Sequence, residues 1–209
     1  MDEDRTKGKL FVISGPSGAG KGTIVSRVRE DLGPNRAVLS ISMTTRGPRP
    51  GEEDGKQYFF VTKEDFCKKI QEGGLLEYAE VYGNYYGTPR SYVMENIENG
   101  RDVILEIDIQ GALNVKKAFP EGILIFVAPP SLSVLRDRLT GRNTDAEDVI
   151  RLRLSKAVSE LSHIPAYDYL IINDVLEEAV KKTESIFISE HMRVSESRMG
   201  RLMAEYEGE

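Results

Sequence analysis

One short stretch of this sequence has the residue types and the spacing that phosphate chemistry requires. It is Gly15-Pro16-Ser17-Gly18-Ala19-Gly20-Lys21, a glycine-rich run that ends in a lysine. Glycines let the backbone curl so that successive N–H groups point at one anion, and the lysine can reach the outer phosphates of a nucleotide. The simpler alternative is a glycine-rich turn with a surface lysine, but the spacing favours a phosphate-binding loop.

The segments on either side of this loop are those that such a loop needs. An apolar run at residues 10–13 precedes it and predicts a buried strand, and a helical pattern follows over residues 24–32. A helix that begins near Gly22 would add unpaired N–H groups and the positive end of its dipole to the anion site.

The residue after Lys21 departs from the usual pattern. That position is commonly Ser or Thr, whose hydroxyl contacts Mg²⁺. Here it is Gly22, and Thr23 follows one place later. We therefore expect Mg²⁺ to be held mainly by water and by the nucleotide, because this ion gives up its water reluctantly.

The composition limits the class of protein. The chain has 209 residues, 40% of them hydrophobic, and a formal net charge of −6, which suits one domain with insertions and argues against general nucleic-acid binding. Its single cysteine, Cys67, excludes an internal disulfide, the acidic N-terminus is unlike a signal peptide, and no apolar run approaches membrane-spanning length. These features predict a cytoplasmic protein that binds neither membranes nor nucleic acid.

Apolar strand patterns alternate with helical patterns along the chain. Strands are predicted at residues 9–14, 37–41, 103–108, 123–127 and 169–172; helices are predicted at 24–32 and 91–99, after Ser131, around Arg151 and Arg153, and over 176–207. This alternation predicts an α/β fold with a parallel sheet and right-handed crossovers.

The alternation is interrupted between about residues 42 and 88. Residues 42–55 contain several prolines and glycines and predict an irregular segment. The pattern then predicts a strand at 57–61, a helix over 66–72 capped by Thr62, a strand over 75–82 and a turn at Gly83-Asn84. We interpret this block as a small α+β insertion, and insertions at the carboxyl ends of strands are where α/β proteins bind ligands.

An acid and a set of arginines complete the candidate residues. The strand over 103–108 ends at Asp108, which could organise a metal beside a phosphate loop or could simply cap the next helix. All basic residues from 136 to 153 are arginines, which suit bidentate phosphate contacts but could also form a solvated helical face. Given the loop, we favour an arginine lid over a triphosphate. His163 and His191 have no second ligand at metal spacing and are expected to be structural.

Several separated motifs, in one order, resemble those of the guanylate kinase family. They are Ser42-Met43-Thr44-Thr45-Arg46-Gly47-Pro48-Arg49-Pro50-Gly51-Glu52, the segments at 55–60, 77–79 and 83–88, Glu106-Ile107-Asp108-Ile109-Gln110-Gly111, and Arg138-Leu139-Thr140-Gly141-Arg142. The resemblance covers about residues 8–190 and is far more specific than the loop alone.

The resemblance implies an α/β P-loop core of three layers, a small α+β GMP-binding insertion and a helical lid. The implied division of the chain is 1–41, 89–135 and 154–209 for the core, 42–88 for the insertion and 136–153 for the lid. It also implies transfer of the γ-phosphoryl group of MgATP to GMP, with Mg²⁺ as the cofactor.

The resemblance further implies a role for each matching residue. The ATP side is Gly15, Pro16, Ser17, Gly18, Ala19, Gly20, Lys21, Gly22, Thr23 and Asn173, the last near adenine. The GMP phosphate would meet Arg46, Arg49, Tyr58 and Tyr86; guanine would meet Ser42, Glu77 and Thr88; and Glu52, Glu106 and Asp108 would also lie on the GMP side. The catalytic group would be Lys21, Arg46, Arg138, Arg142 and Arg153, with Asp108 as a possible metal contact.

Two other functions are compatible with parts of the sequence. Ribose bisphosphate phosphokinases share the core and much of the motif order, but Ser42 and Glu77, the guanine-reading residues, argue against them. Guanylate-kinase-like domains of scaffold proteins bind peptides without catalysis, but the intact loop argues against that function. ATP hydrolysis that is stimulated by GMP, and by no other monophosphate, would separate the three.

Overall fold

The computed structural model describes residues 7–81, 83–141 and 147–208. Within these ranges the strands are β1 (Leu10–Ser14), β2 (Ala37–Leu39), β3 (Ser42–Thr44), β4 (Tyr58–Phe60), β5 (Leu75–Val81), β6 (Asn84–Pro89), β7 (Asp102–Glu106), β8 (Ile123–Ala128) and β9 (Tyr169–Ile172). The helices are α1 (Lys21–Leu32), α2 (Lys63–Gln71), α3 (Arg90–Glu98), α4 (Ile109–Ala118), α5 (Leu132–Thr140), α6 (Glu147–Leu161), α7 (Leu176–Met192) and α8 (Glu196–Glu207).

The core is a parallel sheet of five strands in the order β2-β7-β1-β8-β9. Every residue of β1 is buried, as expected for a strand covered on both faces. Phe11 and Ile13 pack with α1 and α7 on one face, and Leu10 and Val12 pack with α3 and α4 on the other. The sheet therefore lies between two helical layers, and the predicted α/β fold with a parallel sheet is confirmed.

A second sheet of four strands, in the order β4-β3-β6-β5, is built from residues 42–89. β3 runs parallel to β4 and antiparallel to β6, and β6 pairs antiparallel with β5. Helix α2 covers this sheet with Phe66, which is fully buried and stacks on Tyr85 with ring centroids 5.4 Å apart. β5 also packs against α4, so this sheet is attached to the core at that helix.

Local signals in the sequence place several helix ends correctly. Thr62 Oγ1 accepts the Asp65 N–H at 3.1 Å at the start of α2, and Ser131 Oγ accepts the Val134 N–H at 3.2 Å at the start of α5. Both caps are therefore confirmed. Helix α1, by contrast, begins at Lys21, earlier than its apolar pattern, because Gly20 takes a left-handed conformation with φ of 91° and acts as the N-cap.

Three sequence-based expectations about strands and helices are wrong. The strand predicted at 37–41 ends at Leu39, and residues 42–44 form β3 where an irregular segment is predicted. β3 is held by pairing with strands on both sides. The prolines and glycines that follow it in the sequence led to the prediction of an irregular segment. The helical pattern over 176–207 is two helices, because Arg193 takes an extended backbone with ψ of 139° and ends α7. Within the described ranges, none of the helices is both long enough and apolar enough to cross a lipid bilayer.

Helix α7 is attached to the sheet by an aromatic stack and by a polar cluster. The rings of Phe187 and Phe11 are nearly parallel, with centroids 3.6 Å apart, and both side chains are buried. Near the end of the helix, His191 Nε2 lies 2.8 Å from Asp102 Oδ1, and the same oxygen accepts the Lys9 N–H at 2.8 Å. His191 thus makes a structural contact between α7 and the start of β7.

We predict that Phe187→Ala lowers the free energy of unfolding by about 3–5 kcal/mol, because it removes a buried ring and leaves a cavity against Phe11. The matched control is Ile188→Ala on the same helix, where the side chain is 53% exposed and the expected change is within about 0.5 kcal/mol. Urea denaturation of both variants measures the difference. Similar losses in the two variants would contradict the assignment of the stack as an anchor.

Candidate functional site

The glycine-rich loop lies at the carboxyl edge of the central sheet. β1 ends at Ser14, and α1 begins at Lys21 after the loop. A Cβ atom at Gly15 would lie 2.1 Å from the Val127 carbonyl oxygen, and the backbone there has a φ of +139°. Only glycine fits this position, so the loop can turn directly beside β8. Pro16 and Ala19 are buried in the loop, and Ser17, Gly22 and Thr23 are exposed.

Asn173, which directly follows β9, holds the loop in place through a hydrogen bond. Its Nδ2 donates to the Ala19 carbonyl at 2.8 Å, and a Cβ atom at Gly20 would lie 2.3 Å from that nitrogen. Arg138 Nη2 in turn donates to the Asn173 carbonyl at 2.9 Å, while Arg138 Nη1 is buried with no hydrogen-bond partner among the described residues. Arg138 is therefore held beside the loop, and its Nη1 remains available to donate a hydrogen bond. Because Asn173 is only 4% exposed, its observed role is to support the loop, and its contact with adenine stays a prediction.

The ammonium group of Lys21 is folded over the loop. Its Nζ donates to the carbonyl of Gly15 at 2.6 Å and to that of Pro16 at 3.0 Å. Burial lowers the pKa of Lys21, because the charged form is partly removed from water. The carboxylates that oppose this shift are those of Glu106, Glu160 and Asp108. The site therefore contains a desolvated cation that an anion in the loop would stabilise further.

Glu106, the last residue of β7, lies beside the position where Gly22 lacks a side chain. A Cβ atom at Gly22 would lie 3.4 Å from Glu106 Oε1. Partial desolvation raises the pKa of Glu106, although the residue as a whole is exposed, and the nearby Lys21 opposes that shift. A carboxylate thus lies next to the place where other phosphate loops have a hydroxyl.

Asp108 lies beyond the end of β7 and is the N-cap of α4. Its Oδ1 accepts the Gly111 N–H at 2.7 Å, so the capping role that the sequence allows is confirmed. Its carboxylate also acts electrostatically on both Lys21 and Glu77. Within the described ranges no three His, Cys, Asp or Glu side chains converge on a point that could hold a metal ion. The contact of Asp108 with Mg²⁺ therefore stays a prediction.

Three polar residues form one row across the second sheet. The β3–β6 register pairs Met43 with Gly87 and so places Ser42 opposite Thr88. In the next strand Glu77 reaches the same row, and Thr88 Oγ1 donates to Glu77 Oε1 at 2.7 Å. Strand pairing therefore brings together the three residues to which the family resemblance assigns guanine contacts.

Among the three residues of that row, the Glu77 carboxylate offers the most hydrogen-bond acceptor sites. Burial raises its pKa above the usual 4.5, the hydrogen bond from Thr88 opposes this, and the negative charge of Asp108 adds to it. Thr88 is completely buried and holds one of the two carboxylate oxygens in place. The other oxygen could accept the N1–H or the exocyclic amine of a guanine base.

A second cluster lies around Arg46, after β3. Arg46 Nη2 donates to Glu52 Oε1 at 2.9 Å, and its guanidinium lies 5.5 Å from the centre of the Tyr58 ring. Tyr86 packs edge-on against Tyr58 at 5.9 Å. The Arg49 N–H donates to the other Glu52 oxygen at 2.7 Å, and this bond is the largest reason that the pKa of Glu52 is lowered, with Arg46 adding to it. Glu52 therefore positions Arg46 and the Arg49 backbone.

The predicted lid is described only in part. Arg142 lies outside the described residues, and Arg153 is half-buried on α6. The same helix carries Glu160, whose side chain is 17% exposed and whose charge raises the pKa of Lys21. Sequence reasoning missed Glu160, because no local motif connects α6 to the loop. Only the packing of α6 shows that an acid from this helix faces the phosphate loop.

A cavity of about 960 Å³ opens at the opposite edge of the central sheet, where its strands begin. Charged side chains in its walls are paired with each other: Lys116 contacts Asp168 at 2.9 Å, and Arg193 contacts Glu190 at 3.4 Å. Glu190 is 2% exposed and also accepts the Tyr169 hydroxyl. We therefore assign Lys116 and Asp168 to an ion pair between α4 and the residue before β9, and Glu190, through its bond with Tyr169, to holding α7 to the sheet.

Comparison with known proteins gives one consistent result. The family model described as guanylate kinase matches residues 7–190 of the chain. The guanylate kinase of Oceanobacillus iheyensis is 50% identical over 189 residues, covering 90% of this chain and 91% of that protein. That of Clostridium acetobutylicum is 52% identical over 188 residues, covering 90% of this chain and 88% of that protein.

A solved structure agrees with these sequence relatives. The crystal structure of guanylate kinase from Anaplasma phagocytophilum superposes with a TM-score of 0.69 at 35% sequence identity. The superposition covers 90% of this chain and 89% of that one. The similarity therefore extends over both sheets and is not confined to the phosphate loop.

We predict that a ligand that donates hydrogen bonds to Glu77, such as GMP, binds more weakly as the pH falls through the raised pKa of this residue. The raised pKa means that the free protein holds the proton more readily than usual, and binding to the carboxylate must release it, so affinity rises with pH and then levels off. Calorimetric titration with GMP between pH 5 and 8 measures the effect. The phosphate of GMP also titrates, so the comparison is with Glu77→Gln, which should keep only the phosphate contribution. An identical pH profile in both proteins would refute the prediction.

Proposed function

Because the chain belongs to the guanylate kinase family, we propose that it transfers the γ-phosphoryl group of ATP to GMP, giving ADP and GDP. An oxygen of the GMP phosphate forms the new bond to phosphorus, and the bond from that phosphorus to the leaving ADP breaks. The observation that carries this proposal is the half-buried Glu77 carboxylate, held by Thr88 in a second sheet that packs on α4 of the core. The enzyme belongs to purine nucleotide metabolism.

Guanine specificity follows from the chemistry of Glu77. Guanine presents N1–H and an exocyclic amine side by side, whereas adenine has an acceptor at N1 and no amine at that edge. An ionised carboxylate only accepts hydrogen bonds, so it matches guanine and would be left unpaired by adenine. Ser42 can donate to guanine O6, but its hydroxyl also accepts, so it discriminates less. We assign most of the base selection to Glu77.

The Arg46 cluster is the proposed site of the GMP phosphate. Arg46 and Arg49 supply positive charge, and Tyr58 and Tyr86 supply hydroxyl donors. Glu52 does not face the phosphate in this assignment, because a second anion there would repel it. Its hydrogen bonds to Arg46 and to the Arg49 backbone support a positioning role instead.

The loop and the arginines of the lid are the proposed site of the transferring group. Phosphoryl transfer needs little covalent help from a protein, since its main requirements are alignment of the two anions and neutralisation of their charge. Lys21 already lies over the loop, and Arg138 Nη1, which has no hydrogen-bond partner in the part of the chain that the structure describes, provides a donor beside it. The family resemblance assigns Arg142 and Arg153 to the same group of residues around the transferring phosphoryl group.

Mg²⁺ is the proposed cofactor, bound with ATP, and it would supply further positive charge beside the transferring phosphoryl group. The fit rests on Glu106, whose carboxylate lies beside Gly22 where a side-chain hydroxyl is missing. Glu106 and Asp108 would hold water molecules of the ion and would not replace them, in keeping with the preference of Mg²⁺ for its own water.

We also propose the division of the chain that the sequence suggests, with residues 42–88 as the GMP-binding unit and 136–153 as the lid. Closure of both over the nucleotides would exclude water from the reaction. The low cysteine content supports a cytoplasmic location, and the net charge of −6 argues against nucleic acid as a partner.

A coupled assay of ADP formation tests the proposed reaction. MgATP is supplied with GMP, AMP, CMP, UMP or ribose bisphosphate in separate reactions. Stimulation by GMP is expected to exceed that by every other acceptor. A preference for ribose bisphosphate would replace the assignment with the nearest alternative enzyme, and activity with none of them would favour a binding domain.

We predict that Lys21→Ala lowers kcat by roughly a hundredfold, because it removes one preorganised charge from the transition state. The matched control is Lys182→Ala, which removes a lysine that is 58% exposed on α7. Steady-state kinetics together with circular dichroism measure activity and folding. Near-normal turnover in a folded Lys21→Ala protein would end the phosphate-loop assignment.

We predict that Glu77→Ala lowers kcat/KM for GMP by roughly a hundredfold, from the loss of one or two charge-assisted hydrogen bonds of about 1.5–3 kcal/mol each. The already poor rate with AMP should change little. Glu80→Ala, an exposed acid on the same strand, is the control and should leave both rates unchanged. If the GMP and AMP activities of Glu77→Ala fall by one common factor, Glu77 has a structural role only.

A further inference from the structure

We propose that Gly111 is a specificity-positioning residue of the guanine site, because the absence of a side chain there leaves the space that the Glu77 and Asp108 carboxylates occupy. This inference rests on the proposed function, and it adds to that function a residue that does not itself touch the substrate. Gly111 belongs to α4 in the core, whereas Glu77 belongs to β5 in the second sheet.

The backbone does not require glycine at this position. Gly111 is the third residue of α4 and is not among the residues with positive φ. A glycine within a helix is less favourable than an alanine. Its N–H donates to Asp108 Oδ1 at 2.7 Å, and any residue except proline could make that bond. Neither local conformation nor capping explains a glycine here, which leaves space as the explanation.

Three atoms border the space that a side chain would need. A Cβ atom on Gly111 would lie 3.2 Å from Asp108 Oδ1, 3.3 Å from Ile107 Cδ1 and 3.4 Å from Glu77 Oε2. The first two separations are shorter than nearly all contacts of real Cβ atoms, so those neighbours would have to move by a few tenths of an ångström, and the third places a methyl group in direct contact with Glu77 Oε2. Two of the three neighbours are therefore the acids on the guanine side of the site.

The Glu77 side chain has little freedom to move away from a methyl group on Gly111. Its other oxygen, Oε1, is held at 2.7 Å by Thr88, which is completely buried. β5 itself packs against α4, so the strand cannot retreat without separating the second sheet from the core. A methyl group on Gly111 would consequently remain against Glu77 Oε2 and crowd the oxygen that accepts hydrogen bonds from the base.

Gly87 shows what a glycine with a purely structural reason looks like in the same region. A Cβ atom there would lie 2.9 Å from the Glu77 carbonyl oxygen and about as close to Phe66 and Leu75, at 3.0 and 3.1 Å. These neighbours are backbone and core side chains, so Gly87 serves sheet packing. Gly111 differs because its polar neighbours are the functional atoms of two acids.

The test is the substitution Gly111→Ala, with Gly200→Ala as the matched control. Gly200 is also helical, and a Cβ atom there would meet nothing within 4 Å. Because the methyl group would crowd the accepting oxygen, GMP binding should weaken by roughly three- to tenfold, as expected for the partial loss of one charge-assisted hydrogen bond. ATP affinity and the melting temperature should not fall, because the loop is untouched and alanine favours the helix. Calorimetry with each nucleotide and a thermal melt measure these quantities.

The same substitution in a Glu77→Ala protein distinguishes positioning from general damage. If Gly111 acts through Glu77, Gly111→Ala should weaken GMP binding little further in that background. Full additivity, an equal loss of ATP affinity, a lowered melting temperature, or unchanged GMP binding in the single variant would each overturn the inference. Failure of the unaltered enzyme to phosphorylate GMP would instead overturn the proposed function, so the two failures are distinguishable.

Discussion

The parallel pairing of β1 with β7 on one side and β8 on the other is the constraint on which the rest of the site depends. The register aligns Ile13 with Glu106 and Ser14 with Phe126, so the strands end together at one edge of the sheet. The phosphate loop follows β1 there, and the acids Glu106 and Asp108 follow β7. β9 pairs with β8 and adds Asn173 beneath the loop. Covering both faces with helices leaves this edge as the place where polar groups can gather without disturbing the core.

Key polar groups of the phosphate loop and of the second sheet are partly desolvated, and neutral partners hold them in place. Lys21 is held by two carbonyls of its own loop, and Glu77 is held by the hydroxyl of Thr88. Desolvation lowers the pKa of Lys21 and raises that of Glu77. Each charged form is therefore less stable than in water until a ligand supplies an anion to the lysine or hydrogen-bond donors to the glutamate. Such preorganisation lets the charges act on a substrate without further rearrangement. The proposed guanine site is shared by the second sheet and the core, because Glu77 and Thr88 come from the second sheet and Asp108 and Gly111 from the start of α4.

Much of this arrangement could be predicted from the sequence, because it rests on local signals. The glycine-rich loop between an apolar run and a helical pattern is confirmed, as are the parallel core and the caps at Thr62 and Ser131. The motif order around Arg46, Glu77 and Asp108 also indicated the family to which the chain belongs. Each of these signals lies within a short stretch of chain, where residue type alone limits the backbone.

Other features were decided only by tertiary structure. β3 exists because it pairs on both sides with strands that are distant in sequence, and Asn173 reaches Ala19 across 154 positions. Glu160 acts electrostatically on Lys21 although it lies on α6, which packs on α5, and Gly111 lies near Glu77 because α4 packs against β5. The sequence by itself determined the loop, the alternation of elements and the family. The physical reason that it could not determine the rest is that periodicity and spacing report the neighbours of a residue along the chain, whereas these contacts depend on which faces pack together.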